Sequence, residues 1–268
     1  MSDDDIERIA GATDDLLLRI KTLEKANADL EARVAERTAE LEAVNRELEA
    51  FSYSVSHDLK APLRGIDGYA RILLDEYGER LDDEGRRLLG NVCRGVAQMH
   101  RLIGDMLAYS RLERQVLAPC AVELQPLAEE VLSAIDEGGV LEAAKLSIDM
   151  GGLEVRADRN GLAIVLRNLL ANALKFHAPG QVPVVHVSAQ HEGQAVRIEV
   201  CDEGIGFDMK YHERIFDIFQ RLNRVEDYPG TGVGLALVKR AVARMGGRVF
   251  VNSVPGEGTC FTVELPAP

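Results

Sequence analysis

Residues 51–64 read FSYSVSHDLKAPLR and are predicted to form the helix around which the chain is organised. The apolar residues of this stretch recur every three or four positions, as on one face of a helix. His57 falls off that face and is predicted to point to solvent, with the carboxylate of Asp58 directly after it. A carboxylate can orient an imidazole and accept its proton, which suits a nucleophile. Taken alone, the stretch is also compatible with an ordinary surface His–Asp pair.

The composition indicates a protein with a substantial core and an acidic surface. Of the 268 residues 46% are hydrophobic, and the net charge is −13, which argues against nonspecific binding to nucleic acid or anionic lipid. No stretch approaches the roughly 18 apolar residues of a membrane span, and the acidic N-terminal sequence is no secretory signal. We therefore expect a cytoplasmic protein with no membrane segment in this chain. The scattered cysteines lack paired spacing, which predicts four free thiols: Cys93, Cys120, Cys201 and Cys260.

A heptad repeat runs through residues 6–51. Apolar residues dominate both core positions of the repeat, which predicts a coiled coil. Asn27 at a single a position favours a parallel, in-register homodimer. The alternative is a long solvated helix packed on another domain. The a positions are Ile6, Thr13, Ile20, Asn27, Val34, Leu41 and Leu48, and the d positions are Ile9, Leu16, Leu23, Leu30, Arg37, Val44 and Phe51.

The helix of residues 51–64 is predicted to continue the coiled coil without a break, because no glycine or proline separates them. The chain then turns near Tyr77 and Gly78, and a second amphipathic helix follows from about residue 82 to residue 114. Two helices joined by a short turn form an antiparallel hairpin. One hairpin cannot bury both apolar stripes, whereas two copies can do so as a dimeric four-helix bundle.

After Pro119 the pattern changes to mixed α and β. Strands and helices alternate in pairs and hairpins rather than in a βαβ series, which predicts a mixed or antiparallel sheet with helices on one face, an α/β sandwich. One predicted hairpin joins strands 146–150 and 153–157 across Gly151 and Gly152. The other predicted strands are 122–124, 184–189, 195–201, 248–252 and 259–265, and the predicted helices are 126–141, 160–175 and 233–245.

Two stretches of this region carry polar groups suited to a ligand. Residues 168–176, NLLANALKF, place Asn168, Asn172 and Lys175 on one helix face. Amide oxygens suit a divalent cation, and a lysine adds charge for phosphate. The alternative is a helix in which the two asparagines serve only as caps. Residues 202–208, DEGIGFD, follow a strand and offer a carboxylate that can accept a hydrogen bond from an adenine amino group. A plain β-turn is the alternative there.

Two further stretches complete a set of four candidate nucleotide-binding segments. Residues 213–221, ERIFDIFQR, precede about ten loop-like residues that could close over a ligand. Residues 230–237, GTGVGLAL, lead into a helix, and glycines before a helix start present bare N–H groups to phosphate. Each stretch by itself is weak evidence for a nucleotide site. The four in this order, behind a helical hairpin with an exposed histidine, are strong evidence for one.

From Phe51 to the C-terminus the chain resembles the sensor histidine kinases of bacterial two-component systems. Residues 34–41 are similar to the signal linkers of such kinases, and residues 219–232 resemble the subgroup that includes bacterial phytochromes. The boxes of the family are matched by residues 56–62 for the H box, 168–176 for the N box, 202–207 for the first glycine box, 216–219 for the F box and 230–237 for the second glycine box.

The resemblance implies a kinase that phosphorylates itself on His57 with ATP and Mg²⁺, and Asp58 would assist deprotonation of the histidine. It places Mg²⁺ at Asn172, with Asn168 nearby, and assigns Phe176 to adenine packing. Asp202 would hydrogen-bond the adenine amino group, and residues 220–230 would form a mobile lid. The other implied nucleotide contacts are Lys175, Gly204, Gly206, Arg221, Gly230, Thr231, Gly232, Gly234 and Leu235.

One position departs from the family pattern. The family commonly has Thr or Asn four residues after the histidine, where it positions water to dephosphorylate the partner, and this chain has Ala61. The departure predicts weak phosphatase activity and a chain that acts mainly as a kinase.

The sequence therefore predicts three parts: a coiled-coil signal linker at 1–50, a dimerisation and histidine phosphotransfer domain at 51–116 and an ATP-binding domain at 117–268. The phosphoryl group would pass from His57 to an aspartate on the receiver domain of a separate response regulator. A coiled coil with no sensor before it predicts that the sensor lies outside this sequence. The alternatives are an adapter that has lost catalysis and an ATPase related to chaperones or topoisomerases.

Overall fold

The computed structural model describes residues 3–112, 117–136, 141, 143–223 and 227–268. The chain divides into two units, Met1–Val55 and Ser56–Pro268. Within the described ranges, no helix has the length and apolar character needed to cross a membrane.

The first unit is helical in all its described residues and forms the N-terminal part of helix α1, Asp3–Tyr77. The described heptad leucines are open to solvent in the single chain, with Leu23 69% and Leu30 59% exposed. An apolar stripe that is exposed in the single chain is typical of one helix of a coiled coil. The helix is confirmed, and its pairing with a second copy stays a prediction. The structure describes only the backbone of eight predicted core residues: Ile6, Ile9, Thr13, Leu16, Ile20, Leu41, Leu48 and Phe51.

The second unit begins with the predicted helical hairpin. Helix α1 ends at Tyr77, a 3₁₀ helix spans Gly78–Arg80, and helix α2 spans Asp83–Leu112. The two helices share a small buried cluster of Leu63, Val96 and Ile103. Larger apolar side chains on both helices remain exposed, so one hairpin leaves much of its apolar surface uncovered: Leu59, Ile66, Ile72, Leu73, Leu88, Val92, Met99 and Met106.

The rest of the second unit is the predicted α/β sandwich. Its elements are strands β1 (Cys120–Glu123), β2 (Lys145–Asp149), β3 (Glu154–Ala157), β4 (Val184–Glu192), β5 (Ala195–Asp202), β6 (Arg248–Val254) and β7 (Gly258–Pro266), and helices α3 (Leu124–Ile135), α4 (Arg159–Lys175) and α5 (Gly234–Arg244). A five-stranded sheet has the order β2-β4-β5-β7-β6, and β1 pairs with β3 in a separate ribbon. Only β2 and β4 are parallel, so the sheet is mixed.

One face of the sheet packs against the helices. Strand β5 alternates between the two faces, and Val196, Ile198 and Val200 point into the core. Helix α4 lies over them and buries Leu162, Leu166, Leu169 and Leu170 completely or almost completely. This packing fixes the positions of the C-terminal end of α4 and of the C-terminal end of β5.

The predicted hairpin of strands β2 and β3 is wrong. Both strands form, and Gly151 and Gly152 have positive φ and make the turn, but β2 pairs in parallel with β4 while β3 pairs with β1. The backbone N–H of Lys145 donates to the carbonyl of Pro183, which starts the β2–β4 ladder. Each strand joins an open edge elsewhere in the unit, and local turn signals cannot predict such long-range pairing.

The prediction of four free thiols is also wrong. Cys201 on β5 and Cys260 on β7 form a disulfide across 59 residues of sequence, whereas Cys93 and Cys120 are free. The two residues are directly opposite in the β5–β7 ladder. Sequence spacing could not predict a pairing that only the sheet register creates.

Candidate functional site

A cavity of about 330 Å³ lies in the second unit and gathers most of the predicted site residues. Helix α4, the end of β5, residues 220–223 and 228–232, and the start of α5 form its walls. Twelve predicted site residues line the cavity: Asn168, Asn172, Lys175, Phe176, Asp202, Gly206, Arg221, Gly230, Thr231, Gly232, Gly234 and Leu235.

The α4 wall presents two amides and a lysine. The Asn168 side-chain NH₂ donates to the carbonyl of Ile164 at 2.7 Å, so its amide oxygen faces away from the helix backbone. Gly234 lies against that oxygen, and a Cβ added there would approach it to 2.6 Å. Lys175 Nζ lies 3.4 Å from the Asn172 side-chain oxygen. Two amide oxygens beside an ammonium can bind a hydrated divalent cation and a phosphate chain together.

Burial and neighbouring charge make Lys175 an unusual lysine. Burial is the main cause that lowers the pKa of its ammonium group from 10.5 to about 8, and the cationic groups of Arg221 and Arg101 lower it further. Its ammonium also lies 4.0 Å from the centre of the Phe176 ring. Because positive groups crowd this part of the cavity, the site is electrostatically suited to phosphate.

Asp202 ends strand β5 and lines the same cavity. Its Oδ1 accepts hydrogen bonds from the backbone N–H of Gly204 at 2.9 Å and of Thr259 at 3.2 Å. Burial raises the pKa of this carboxyl to about 6, against the two backbone hydrogen bonds, which lower it. Gly204 does not line the cavity but permits the close turn, because a Cβ there would come within 2.1 Å of the Phe176 carbonyl oxygen.

The described part of the predicted lid is tied together by Arg221. Its guanidinium donates to the carbonyls of Gly230 at 2.8 Å and of Tyr228 at 2.6 Å. The Tyr228 hydroxyl donates to the carbonyl of His177, and the Tyr228 ring centre lies 5.4 Å from that of Phe176. Residues 224–226 of the predicted lid lie outside the described residues, and the mobility of the lid stays a prediction.

The second glycine stretch leads into α5, which begins at Gly234. Gly232 has a φ of 76° and lies against the backbone of Phe219, whose N–H donates to the Gly232 carbonyl at 2.9 Å. A Cβ at Gly232 would approach that backbone to 2.9 Å, so only glycine fits without a shift. Gly234 and Leu235 at the start of α5 line the cavity, and the backbone N–H groups of a helix start are suited to an anion.

Three lining residues lie outside every predicted site stretch: Asp105, Thr259 and Phe261. Asp105 is the most unexpected, because it comes from helix α2 and accepts a hydrogen bond from the Thr231 hydroxyl. No local signal could have placed Asp105 beside a residue 126 positions away. Thr259, which donates its N–H to Asp202, is likewise remote in sequence. The other lining residues that were not named individually lie within the predicted stretches or the predicted lid: Ala171, Ile205, Phe207, Ile215, Gln220, Leu222, Asn223, Tyr228 and Pro229.

The predicted phospho-acceptor lies on helix α1. His57 is helical, as predicted, and the structure describes its backbone only. Asp58 and Ala61 are exposed. Neither His57 nor Asp58 is among the described residues that line the cavity.

Two family models match the chain. A model described as the histidine kinase-, DNA gyrase B- and HSP90-like ATPase matches residues 157–268, and one described as the His Kinase A (phospho-acceptor) domain matches residues 47–115.

The full-length relatives are larger proteins. Phytochrome-like protein Cph1 of Synechocystis sp. is 34% identical over 91% of this chain and 33% of its own length. The methanogenesis regulatory histidine kinase FilI of Methanothrix harundinacea is 34% identical over 97% of this chain and 29% of its own length. The crystal structure of full-length ShkA in complex with AMPPNP is similar with a TM-score of 0.61 and 28% identity, covering 81% of this chain and 45% of that one. The chain thus spans about a third of the length of these curated relatives.

Proposed function

The chain belongs to the sensor histidine kinases, and we propose that it is a kinase core that transfers the γ-phosphoryl group of ATP to His57. The observation that carries the proposal is the single cavity in which four separate sequence stretches meet. The ATPase family of residues 157–268 supports ATP binding, and the phospho-acceptor family of residues 47–115 supports a histidine acceptor and a homodimer.

We propose that the adenine binds in the cavity beside Asp202. An ionised Asp202 can accept a hydrogen bond from the adenine amino group, because its other partners are backbone N–H donors that hold it in place. Phe176 and Ile205 provide apolar surface for the base. A carboxylate held by two donors discriminates adenine from guanine, which offers a carbonyl at the corresponding position.

The triphosphate would extend toward Lys175, Arg221 and the start of α5. The amide oxygens of Asn172 and Asn168 are the groups that would hold Mg²⁺, since oxygen ligands are those that this ion prefers. Bound Mg²⁺ would neutralise charge on the phosphate oxygens. Lys175, freed from part of its hydration by burial, would then contact the phosphates directly.

His57 would attack the γ-phosphorus through a ring nitrogen, with Asp58 orienting the ring and assisting loss of its proton. We propose that the phosphoryl group then passes to an aspartate on the receiver domain of a response regulator. Changes in register or rotation of α1 would carry the input signal to His57.

Incubation with γ-labelled ATP and Mg²⁺ tests this function, with wild type compared with His57→Gln. We expect a label on the wild type that is acid-labile and base-stable, and no label on the variant. Asp202→Ala, which leaves His57 intact, should lose labelling by losing ATP. Labelling that survives in His57→Gln would mean another acceptor, ATP binding without any label would favour an adapter, and ADP release without a phosphoprotein would favour a plain ATPase.

A further inference from the structure

The Cys201–Cys260 disulfide lies on the face of the sheet that the helices leave uncovered. It joins β5 and β7, two interior strands. The neighbouring residues Val200 and Phe261 point into the core, and side chains alternate along a strand, so the cysteines point to the other face. Both cysteines are only partly buried. The pair is therefore partly open to solvent on this face of the sheet.

The disulfide sits next to the groups that hold the Asp202 carboxylate. In the β5–β7 register, the pair after Cys201 and Cys260 is Asp202 and Thr259. The N–H of Thr259 donates to the Asp202 carboxylate at 3.2 Å. The Cys201 and Cys260 Cα atoms are 3.9 Å apart. The crosslink joins the two strands directly beside the Asp202–Thr259 hydrogen bond.

Asp202 and Thr259 form a wall between two cavities. Both line the 330 Å³ cavity, and both line a shallow, open depression of about 200 Å³ on the other side. The disulfide cysteines belong to the lining of this depression. A small thiol or disulfide can therefore approach the sulfur atoms from the depression while a nucleotide occupies the cavity.

We propose that Cys201 and Cys260 are a reversible redox modification site whose state sets the affinity of the adenine pocket, with low-molecular-weight thiols and disulfides as its reactants. In reduction, one small thiolate attacks a sulfur of the pair and forms a mixed disulfide, and a second thiolate releases it. The two small thiols lose two electrons and two protons in all and become one disulfide, while the two cysteines gain them and become thiols. Oxidation by a small disulfide is the reverse.

The disulfide form holds the Thr259 N–H at Asp202 and so favours the geometry that accepts adenine. In the dithiol form the hydrogen-bonded ladder remains, but the cysteine pair can separate and the Thr259–Asp202 bond loosens. We expect reduction to weaken binding of an ATP analogue by roughly tenfold, in the range of losing one hydrogen bond to a charged group. This inference rests on the proposed role of Asp202 in adenine binding.

The experiment equilibrates the full chain in a series of glutathione to glutathione disulfide ratios. Alkylation and mass spectrometry count the free thiols, and titration calorimetry with a non-hydrolysable ATP analogue gives the affinity. The expected result is that two thiols appear together as glutathione rises while affinity falls with the same midpoint. Cys93→Ser with Cys120→Ser should keep this response, since both residues are free thiols outside the pair. Cys201→Ser with Cys260→Ser should give the weaker affinity at every ratio.

Two results would overturn the inference: a pair that alkylates at every ratio, or an affinity that stays constant while the pair cycles. Hydrogen exchange of the Thr259 amide in the nucleotide-free chain separates this inference from the proposed function. That exchange should quicken on reduction even if the chain binds no ATP. Failure to bind ATP would contradict only the proposed kinase function and would leave this inference standing. An unchanged exchange rate between the two redox forms would refute the coupling directly.

Discussion

The ionised form of Asp202 is the stronger acceptor for the proposed hydrogen bond from adenine, and burial opposes that ionisation. Burial raises its pKa from 3.8 to about 6. The folded chain therefore binds this proton more tightly than the unfolded chain does. Protonation of Asp202 thus stabilises the fold relative to the ionised form, and this contribution is lost as pH rises from about 4 through about 6. The proposed nucleotide binding has the opposite pH dependence: it strengthens as pH rises, because the ionised carboxylate is the stronger acceptor.

We predict that affinity for an ATP analogue falls as pH drops from 7.5 to 5.5, with a midpoint near 6. Asp202→Asn should bind at least about tenfold more weakly at pH 7.5, because the amide can turn an N–H toward the adenine amino group. The variant should also lose the midpoint near 6, which separates Asp202 from the titration of the nucleotide phosphates. Calorimetry at matched ionic strength measures both quantities. A wild-type midpoint that persists unchanged in the variant would assign the titration to another group.

Ala61 lies one helical turn after His57 and its side chain is exposed. An amide at this position could orient a water molecule, which alanine cannot do. We predict that Ala61→Asn speeds dephosphorylation of a receiver domain phosphorylated by this chain by at least about tenfold, with little change in His57 labelling. Loss of labelled phosphate from the isolated phospho-receiver measures the rate. Ala61→Leu is the control, since it adds volume without a polar group. Equal rates for both variants would contradict the prediction that Ala61 limits phosphatase activity.

At the scale of elements, helix α2 is in contact with the nucleotide cavity. The Thr231 hydroxyl donates to the carboxylate of Asp105, and the guanidinium of Arg244 on α5 donates to the carbonyl of Leu112 at the end of α2. Asp105 thus brings a negative charge to the stretch that would receive phosphate. Triphosphate binding should be opposed by this charge and should require the Thr231–Asp105 bond to break.

We predict that Asp105→Ala raises affinity for an ATP analogue by about fivefold, by removing a like charge and freeing Thr231. Asp105→Asn is the matched variant, because it removes the charge and can still accept a hydrogen bond from Thr231. The difference in affinity between the two variants measures the contribution of the hydrogen bond. The change in the salt dependence of affinity from wild type to Asp105→Asn measures the contribution of the charge. Weaker binding by both variants would show that Asp105 supports the ligand instead of opposing it.

The helices could be predicted from the sequence because their signals are local. The apolar spacing of α2 and the glycines before α5 each act within a few turns, and both helices begin and end close to the predicted residues. Strand pairing is different, because it depends on which edges remain open after the sheet assembles. The β2–β4 pairing, the Cys201–Cys260 disulfide and the Thr231–Asp105 bond all join distant segments. The site residues inside the glycine and asparagine stretches were therefore predictable, and those contributed by neighbouring elements were not.

At the scale of the whole molecule, the hairpin has an apolar surface that one chain does not cover. Leu59, Ile66 and Leu73 on α1 are exposed and recur every seven residues, and Val92, Met99 and Met106 on α2 do the same. A seven-residue spacing keeps each stripe on one side of its helix, as in helices that pack at small crossing angles. A second copy of the hairpin would bury both stripes in a four-helix bundle, in agreement with the phospho-acceptor family of residues 47–115.

Met99→Glu should therefore dissociate the dimer, because its carboxylate would be buried in an apolar seam without a partner. Sedimentation velocity should show a dissociation constant raised by at least about a hundredfold, the effect of losing a few kcal/mol of apolar burial. Ala97→Glu is the control, since Ala97 is exposed on the same helix outside the stripe and adds the same charge. Both variants should bind the ATP analogue as the wild type does, because neither residue lines the cavity. If Met99→Glu and Ala97→Glu dissociate alike, net charge opposes assembly and the α2 stripe is not the seam. If neither dissociates, the coiled coil alone holds the two chains together.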